Sequence, residues 1–108
     1  MRRSAAALCA AILFGALAAA AWASESHRIS QQGRAFDKKE ITIDAGDVVD
    51  FTNDDEFIHQ IYVQSPAMSF DSAESYPGNT IELKFPTRGT FEVHCHIHPK
   101  MRLVVNVR

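Results

Sequence analysis

From residue 24 onward apolar and polar residues alternate in short runs, and no stretch keeps apolar residues at three- and four-residue intervals long enough for a helix. Period-two runs rich in β-branched and aromatic residues, bounded by Gly, Pro, Asn and Asp, predict strands over residues 27–32, 40–44, 48–52, 57–63, 79–85, 90–95 and 102–108. The strands 40–44 and 48–52 are read as neighbours joined by the tight turn Ala45-Gly46-Asp47, with Ile41, Ile43, Val49 and Phe51 facing the core. Ile81, Leu83 and Phe85 share one face further on. In 57–63 the same parity aligns Phe57, His59, Ile61 and Val63, so a histidine is carried inward with the aliphatic residues. In 90–95, Phe91, Val93 and Cys95 point one way, and Glu92 and His94 the other. Residues 65–78, with Pro66, Pro77 and Gly78, form the longest irregular connection and are expected to hold one helical turn near 71–75. Asn53-Asp54-Asp55-Glu56 reads as a solvated polar loop, lacking the glycine and spaced oxygen ligands of a calcium site. The pattern is that of an all-β sandwich.

Residues 1–23 break the alternation. Arg2 and Arg3 precede an apolar, alanine-rich run from Ala5 to Ala21, and Ala21-Trp22-Ala23 supplies a small-x-small cleavage pattern before Ser24. This is the form of a secretory signal peptide, too short and too weakly apolar for a stable membrane anchor. Cys9 precedes most of the apolar run, which is the wrong place for a lipoprotein acceptor. The expected organisation is a leader over 1–23 and one domain over 24–108, periplasmic or secreted. Removing Arg2 and Arg3 leaves 9 basic against 13 acidic residues, a formal charge of −4. That balance is not a nucleic-acid footprint. It suggests that a charged partner would present a basic face.

An exported chain usually spends cysteines in pairs, yet after the leader only Cys95 remains. A lone thiol in an oxidising compartment is either buried and inert or occupied, and a metal is the simplest occupant. Its neighbourhood favours the metal. His94-Cys95-His96-Ile97-His98-Pro99-Lys100-Met101 contains Cys-x-x-His-x-x-Met, so a thiolate, an imidazole and a thioether fall on one short loop between two predicted strands, with Pro99 stiffening it. Soft sulfur donors with imidazole suit copper, and a trigonal His₂Cys site with a weak axial Met is an electron-transfer geometry. His59 is the candidate second imidazole; taken alone, an inward histidine more often hydrogen-bonds within a core. His27, near the start of the expected domain, is read as solvated, and Met68 as packing in preference to a ligand.

These residues resemble the cupredoxin, or type 1 blue copper, family, and most closely its amicyanin, pseudoazurin and plastocyanin branch. The run from Ile41 to Asn53 is similar to the family's strand, Gly-Asp turn and strand, His59 lies at its first ligand, and Gly89-Thr90-Phe91-Glu92-Val93-His94-Cys95 is similar to its Gly-Thr-Tyr-x-x-x-Cys strand. The Cys-x-x-His-x-x-Met spacing is that of amicyanin. The resemblance implies a Greek-key β-sandwich holding one type 1 copper ion, with His59, Cys95 and His98 equatorial and Met101 axial. Where the family usually has Pro before the first His and Asn after it, this chain has Ile58 and Gln60. His-Cys-His at 94–96 also resembles multicopper oxidases, but the further His-x-His pairs of a trinuclear cluster are missing from a chain of five histidines. His94 and His96 are then solvated or partner-facing, or form an extra surface metal site.

Three functions follow as expectations. The first is a monomeric electron carrier, not an enzyme, passing electrons between redox proteins such as a dehydrogenase and a c-type cytochrome through the imidazole edge of His98. The second is a copper storage or delivery module without redox turnover, using the same ligands plus His94, His96 or Met68. The third, a hydrolase with Cys95 as nucleophile, needs a larger framework and an oxyanion hole.

Overall fold

The structure, a computed structural model, describes residues 24–108; the expected leader lies outside them. Among the described residues there are eight strands: β1 (Ser26–Gln31), β2 (Glu40–Ile43), β3 (Val48–Asn53), β4 (Ile61–Ser65), β5 (Met68–Asp71), β6 (Thr80–Lys84), β7 (Gly89–Cys95) and β8 (Arg102–Val107). They form a three-stranded sheet in the order β1-β3-β6 and a five-stranded sheet in the order β2-β8-β7-β4-β5. Pairs β1–β3 and β2–β8 are parallel, and the remainder antiparallel. The fold is the expected all-β sandwich of Greek-key, cupredoxin-like type. Among the described residues no helix is long and apolar enough to cross a membrane.

The inward residues of the two sheets meet in one core. Phe51, Val49 and Ile29 come from the smaller sheet and Ile43, Ile61, Val63, Val93, Leu103 and Val105 from the larger, all essentially inaccessible to water. Each such side chain contributes roughly 1.5–3 kcal/mol on burial. Phe36 closes one edge with its ring edge-on to Phe51, the centroids 5.9 Å apart. Ile41 and Met68 are partly buried against this cluster, so Met68 packs as expected.

Two local expectations change. Strands β2 and β3 are consecutive but not paired: β2 lies beside β8 and β3 beside β1. The turn between them crosses from one sheet to the other, with Gly46 at φ 97° and the Asp47 amide donating to the Asp44 carbonyl at 3.0 Å. Ile43 and Val49 therefore enter the core from different sheets. The helical turn near 71–75 is absent. Met68-Ser69-Phe70-Asp71 is instead an edge strand folded back on β4 through Pro66-Ala67, with Ser65 opposite Met68. Its alternation of half-buried Met68 and Phe70 with exposed Ser69 and Asp71 outweighs the small polar residues around it.

The end of the sandwich where β7 finishes and β8 begins collects the chemistry. The strand 57–63 is shorter than expected: β4 starts at Ile61, and His59 forms only an isolated bridge with Ser75. The parity survives, and His59, Ile61 and Val63 are all buried.

Candidate metal centre

Cys95 is the last residue of β7, and its parity with Phe91 and Val93 turns Sγ inward, where it is 2% exposed. The loop from His96 to Lys100 then folds back on itself through a bond from the Met101 amide to the His98 carbonyl at 3.0 Å. His59 arrives from the segment before β4. The three donor atoms converge: His59 Nδ1 lies 3.7 Å from Cys95 Sγ and 3.1 Å from His98 Nδ1, and His98 Nδ1 lies 3.8 Å from Cys95 Sγ. The circle through three atoms so spaced has a radius of about 2.1 Å, close to metal–nitrogen and metal–thiolate bond lengths of about 2.0–2.3 Å. The triangle thus has the dimensions that one ion bound by all three would impose. Met101, at the foot of β8, is buried beside this loop and packed in the core.

The surroundings define how each donor is presented. Asp55 Oδ2 is 3.0 Å from His59 Nε2, and both side chains are essentially buried. Burial alone would push the Asp55 carboxyl up, but hydrogen bonds from the Arg34 amide, His59 and the Glu56 amide outweigh it and hold it below its ordinary value. Being ionised, Asp55 can only accept, so Nε2 carries the proton and Nδ1 keeps its lone pair facing the thiol. Carboxylate–imidazole pairs of this kind fix a ligand's tautomer and raise its basicity. The Gln60 amide donates toward Cys95 Sγ at 3.4 Å, and the Gln60 carbonyl accepts from the His96 amide at 2.9 Å. The main chain of Gln60 therefore steadies the loop, while its side chain turns away to the Ser72 carbonyl at 3.0 Å. His98 is half-buried; burial above all, with the Arg34 cation nearby adding to it, lowers its pKa below the ordinary histidine value and favours the neutral form.

Asn53 and Asp55 are where sequence reasoning falls short. The loop 53–56 is expected to be solvated, and Asp54 and Glu56 are exposed, but Asn53 is fully buried and Asp55 nearly so. Asn53 Nδ2 donates to the carbonyls of Phe57 at 2.9 Å and Ser75 at 2.8 Å, and its Oδ1 accepts from the Asp55 amide at 2.9 Å. It ties the end of β3 to the segment carrying Asp55 and to the bridge partner of His59. The sequence signal available was Asp55 four residues before an inward histidine.

His94 and His96 are not brought into the cluster. They lie on the other face of the sheet, where His94 Nε2 is 3.0 Å from Glu92 Oε1 and His96 Nε2 is 3.1 Å from Asp71 Oδ1. The His96 ring is stacked on Tyr62, the centroids 3.9 Å apart. His27 is half-buried and bonded to Asp47 at 3.0 Å, so it is less solvated than its sequence position suggests.

A family model for copper-binding proteins of the plastocyanin/azurin family matches residues 23–108. A comparison with curated proteins finds no match. Among solved structures, a methionine-to-alanine mutant of amicyanin in the Cu(I) state superposes with a TM-score of 0.72 at 20% identity, covering 77% of this chain and 82% of that one. A purple cupredoxin from Nitrosopumilus maritimus superposes with a TM-score of 0.68 at 22% identity, covering 76% and 99%. A copper-containing nitrite reductase from Thermus scotoductus SA-01 gives 0.68 at 26% identity, but the match spans 76% of this chain and only 22% of the reductase. The first two likenesses speak for the fold. The family match covers the whole sandwich together with its convergent sulfur and imidazole donors: the chain belongs to the plastocyanin/azurin family of copper-binding proteins, with copper as its cofactor.

Proposed function

We propose that this chain is an exported electron carrier in which His59, Cys95 and His98 hold copper equatorially and Met101 axially. The observation that carries the reading is the triangle of His59 Nδ1, Cys95 Sγ and His98 Nδ1, with sides of 3.1 to 3.8 Å. Bound there, copper supplies a one-electron Cu(I)/Cu(II) couple. The protein's part is restraint. Asp55 fixes the His59 ring, the Gln60 amide faces the sulfur, and the core around Met101 and Cys95 excludes water. Ligands that cannot rearrange keep reorganisation small, which is what rapid electron transfer requires. A thiolate, an imidazole pair and a thioether suit such a site.

Of the four side chains only His98 reaches the surface, lining an open hollow of about 370 Å³ with Arg34, Ile97, Pro99 and Lys100. Its imidazole is the route by which a redox protein, such as a dehydrogenase or a c-type cytochrome, would exchange electrons. Export is the reading of residues 1–23 as a leader, with Arg2 and Arg3 ahead of an apolar run.

Cu(II) added to the purified protein should bind at one ion per chain and give an intense thiolate-to-copper visible band, absent from Cys95→Ser. A tight but colourless cupric complex would refute the type 1 assignment. Two or more ions per chain would favour storage or delivery.

A further inference from the structure

The molecule carries formal charge −4 over residues 24–108, yet the ground around His98 has the opposite sign. The hollow beside the imidazole is lined by Arg34, Ile97, His98, Pro99 and Lys100: two cations, an exposed isoleucine, a proline and the ligand itself. Among the described residues neither Arg34 nor Lys100 forms an ion pair, whereas Arg28, Arg102 and Arg108 are each neutralised by a carboxylate within 3.3 Å. The nearby acids do not cancel them. Asp54 is engaged by Arg28 and by Ser30, Asp55 is buried against His59, and Glu56 lines a separate hollow with Gln32, Gly33 and Phe57.

Arg34 is also held in place. It is the one non-glycine among the described residues with positive φ, at 57°, following Gly33 at 65°. The Gln32 amide closes this turn on the Ala35 carbonyl at 3.0 Å, and the Arg34 amide is anchored on Asp55 at 2.8 Å. The turn sets the guanidinium over the Phe57 ring, 3.9 Å from its centroid. A left-handed arginine is unfavourable and persists only where its surroundings over-determine it. Here they aim a cation at the rim of the imidazole.

We infer that the His98 face docks a redox protein whose own electron-transfer edge is apolar and rimmed by carboxylates, Arg34 and Lys100 pairing with those carboxylates around the Ile97 and Pro99 contact. This rests on the electron-carrier reading and reverses the sign that net charge suggests. At physiological salt charges are screened beyond about 8 Å, so in a docked complex the rim of the contact outweighs the distant acids. Charges so placed act chiefly on the association rate and its salt dependence.

The test is stopped-flow oxidation of the Cu(I) protein by two ferric c-type cytochromes, one with carboxylates and one with lysines around its haem edge; one electron passes, giving Cu(II) and ferrous haem. The slope of rate against ionic strength is the readout, because it does not depend on the difference in potential between the two oxidants. With the carboxylate-rimmed cytochrome the rate should fall several-fold as salt is raised from about 0.15 M, where the distant acids are already screened, to about 1 M. Arg34→Gln combined with Lys100→Gln should lower the rate at physiological salt about tenfold and flatten the slope, while Arg34→Lys retains both. Lys100→Gln alone preserves the test should Arg34→Gln disturb the visible band. The inference is overturned if the rate rises with salt, as a charge of −4 would dictate, or if the charge-removing variants match the parent. A protein without the thiolate band would instead defeat the carrier reading, before any rate is measured.

Discussion

Asp55→Asn isolates what the buried carboxylate contributes to the site. In the native protein Oδ2 faces two donors, His59 Nε2 at 3.0 Å and the Arg34 amide at 2.8 Å, while Oδ1 faces the Glu56 amide at 2.9 Å. A carboxamide of the same volume replaces only one of these oxygens. Whichever way it turns, its NH₂ meets a donor: the Glu56 amide in one orientation, His59 and Arg34 in the other. Hydrogen bonds to a charged acceptor are worth about 1.5–3 kcal/mol against about 1 for neutral pairs. In the better orientation the apo-protein should therefore lose about 2–4 kcal/mol in urea unfolding, allowing for two bonds weakened and one donor left unpaired. The ring of His59 loses the anion that holds its tautomer and raises its basicity, so copper affinity should fall about 10- to 100-fold. Competition with a chelator, followed at the thiolate band, measures the affinity. An Asp55→Asn protein that folds normally, binds copper as tightly as the parent and unfolds at the same urea concentration would refute this role.

Asn53→Ala removes three bonds at once, leaving the Phe57 carbonyl and the Asp55 amide without a partner and the Ser75 carbonyl with the His59 amide alone; about 2–4 kcal/mol of stability should be lost, read from chemical unfolding of the apo-protein. Asp47 accepts from the Glu25 and Asp44 amides and pairs with His27, and its carboxyl is lowered from 3.8 to about 2, chiefly by the Glu25 amide. A carboxyl with a depressed folded-state pKa contributes stability that is complete above the unfolded value and is lost as pH falls through the folded one. Asp47→Asn should accordingly be less stable than the parent at neutral pH, with the two acid-unfolding curves converging between pH 3.8 and about 2; parallel curves through that window would contradict the assignment.

The alternation of apolar and polar residues was enough to find seven of the eight strands and to turn Cys95, His59, Ile61 and Val63 inward, because side-chain parity along a strand is a local property. Three of the proposed ligands were legible for the same reason: Cys95, His98 and Met101 lie within seven residues, and a loop that short leaves its donors few places to go. Long-range geometry was not written there. That β2 and β3 separate into different sheets depends on which strands offer free edges, β8 to one and β1 to the other. That His59 meets Cys95, 36 residues away, depends on the pairing of β4 with β7, which sets Ile61 opposite Cys95. The loop 53–56 shows the difference most clearly. Four polar residues in a row look solvated by composition, but a polar side chain can be buried wherever its bonds are met, and whether they are met is decided by groups distant in sequence: the carbonyl of Ser75 for Asn53, and for Asp55 the amide of Arg34. Periodicity encodes which way a side chain points; only the folded chain brings up the partners that make a buried charge tolerable.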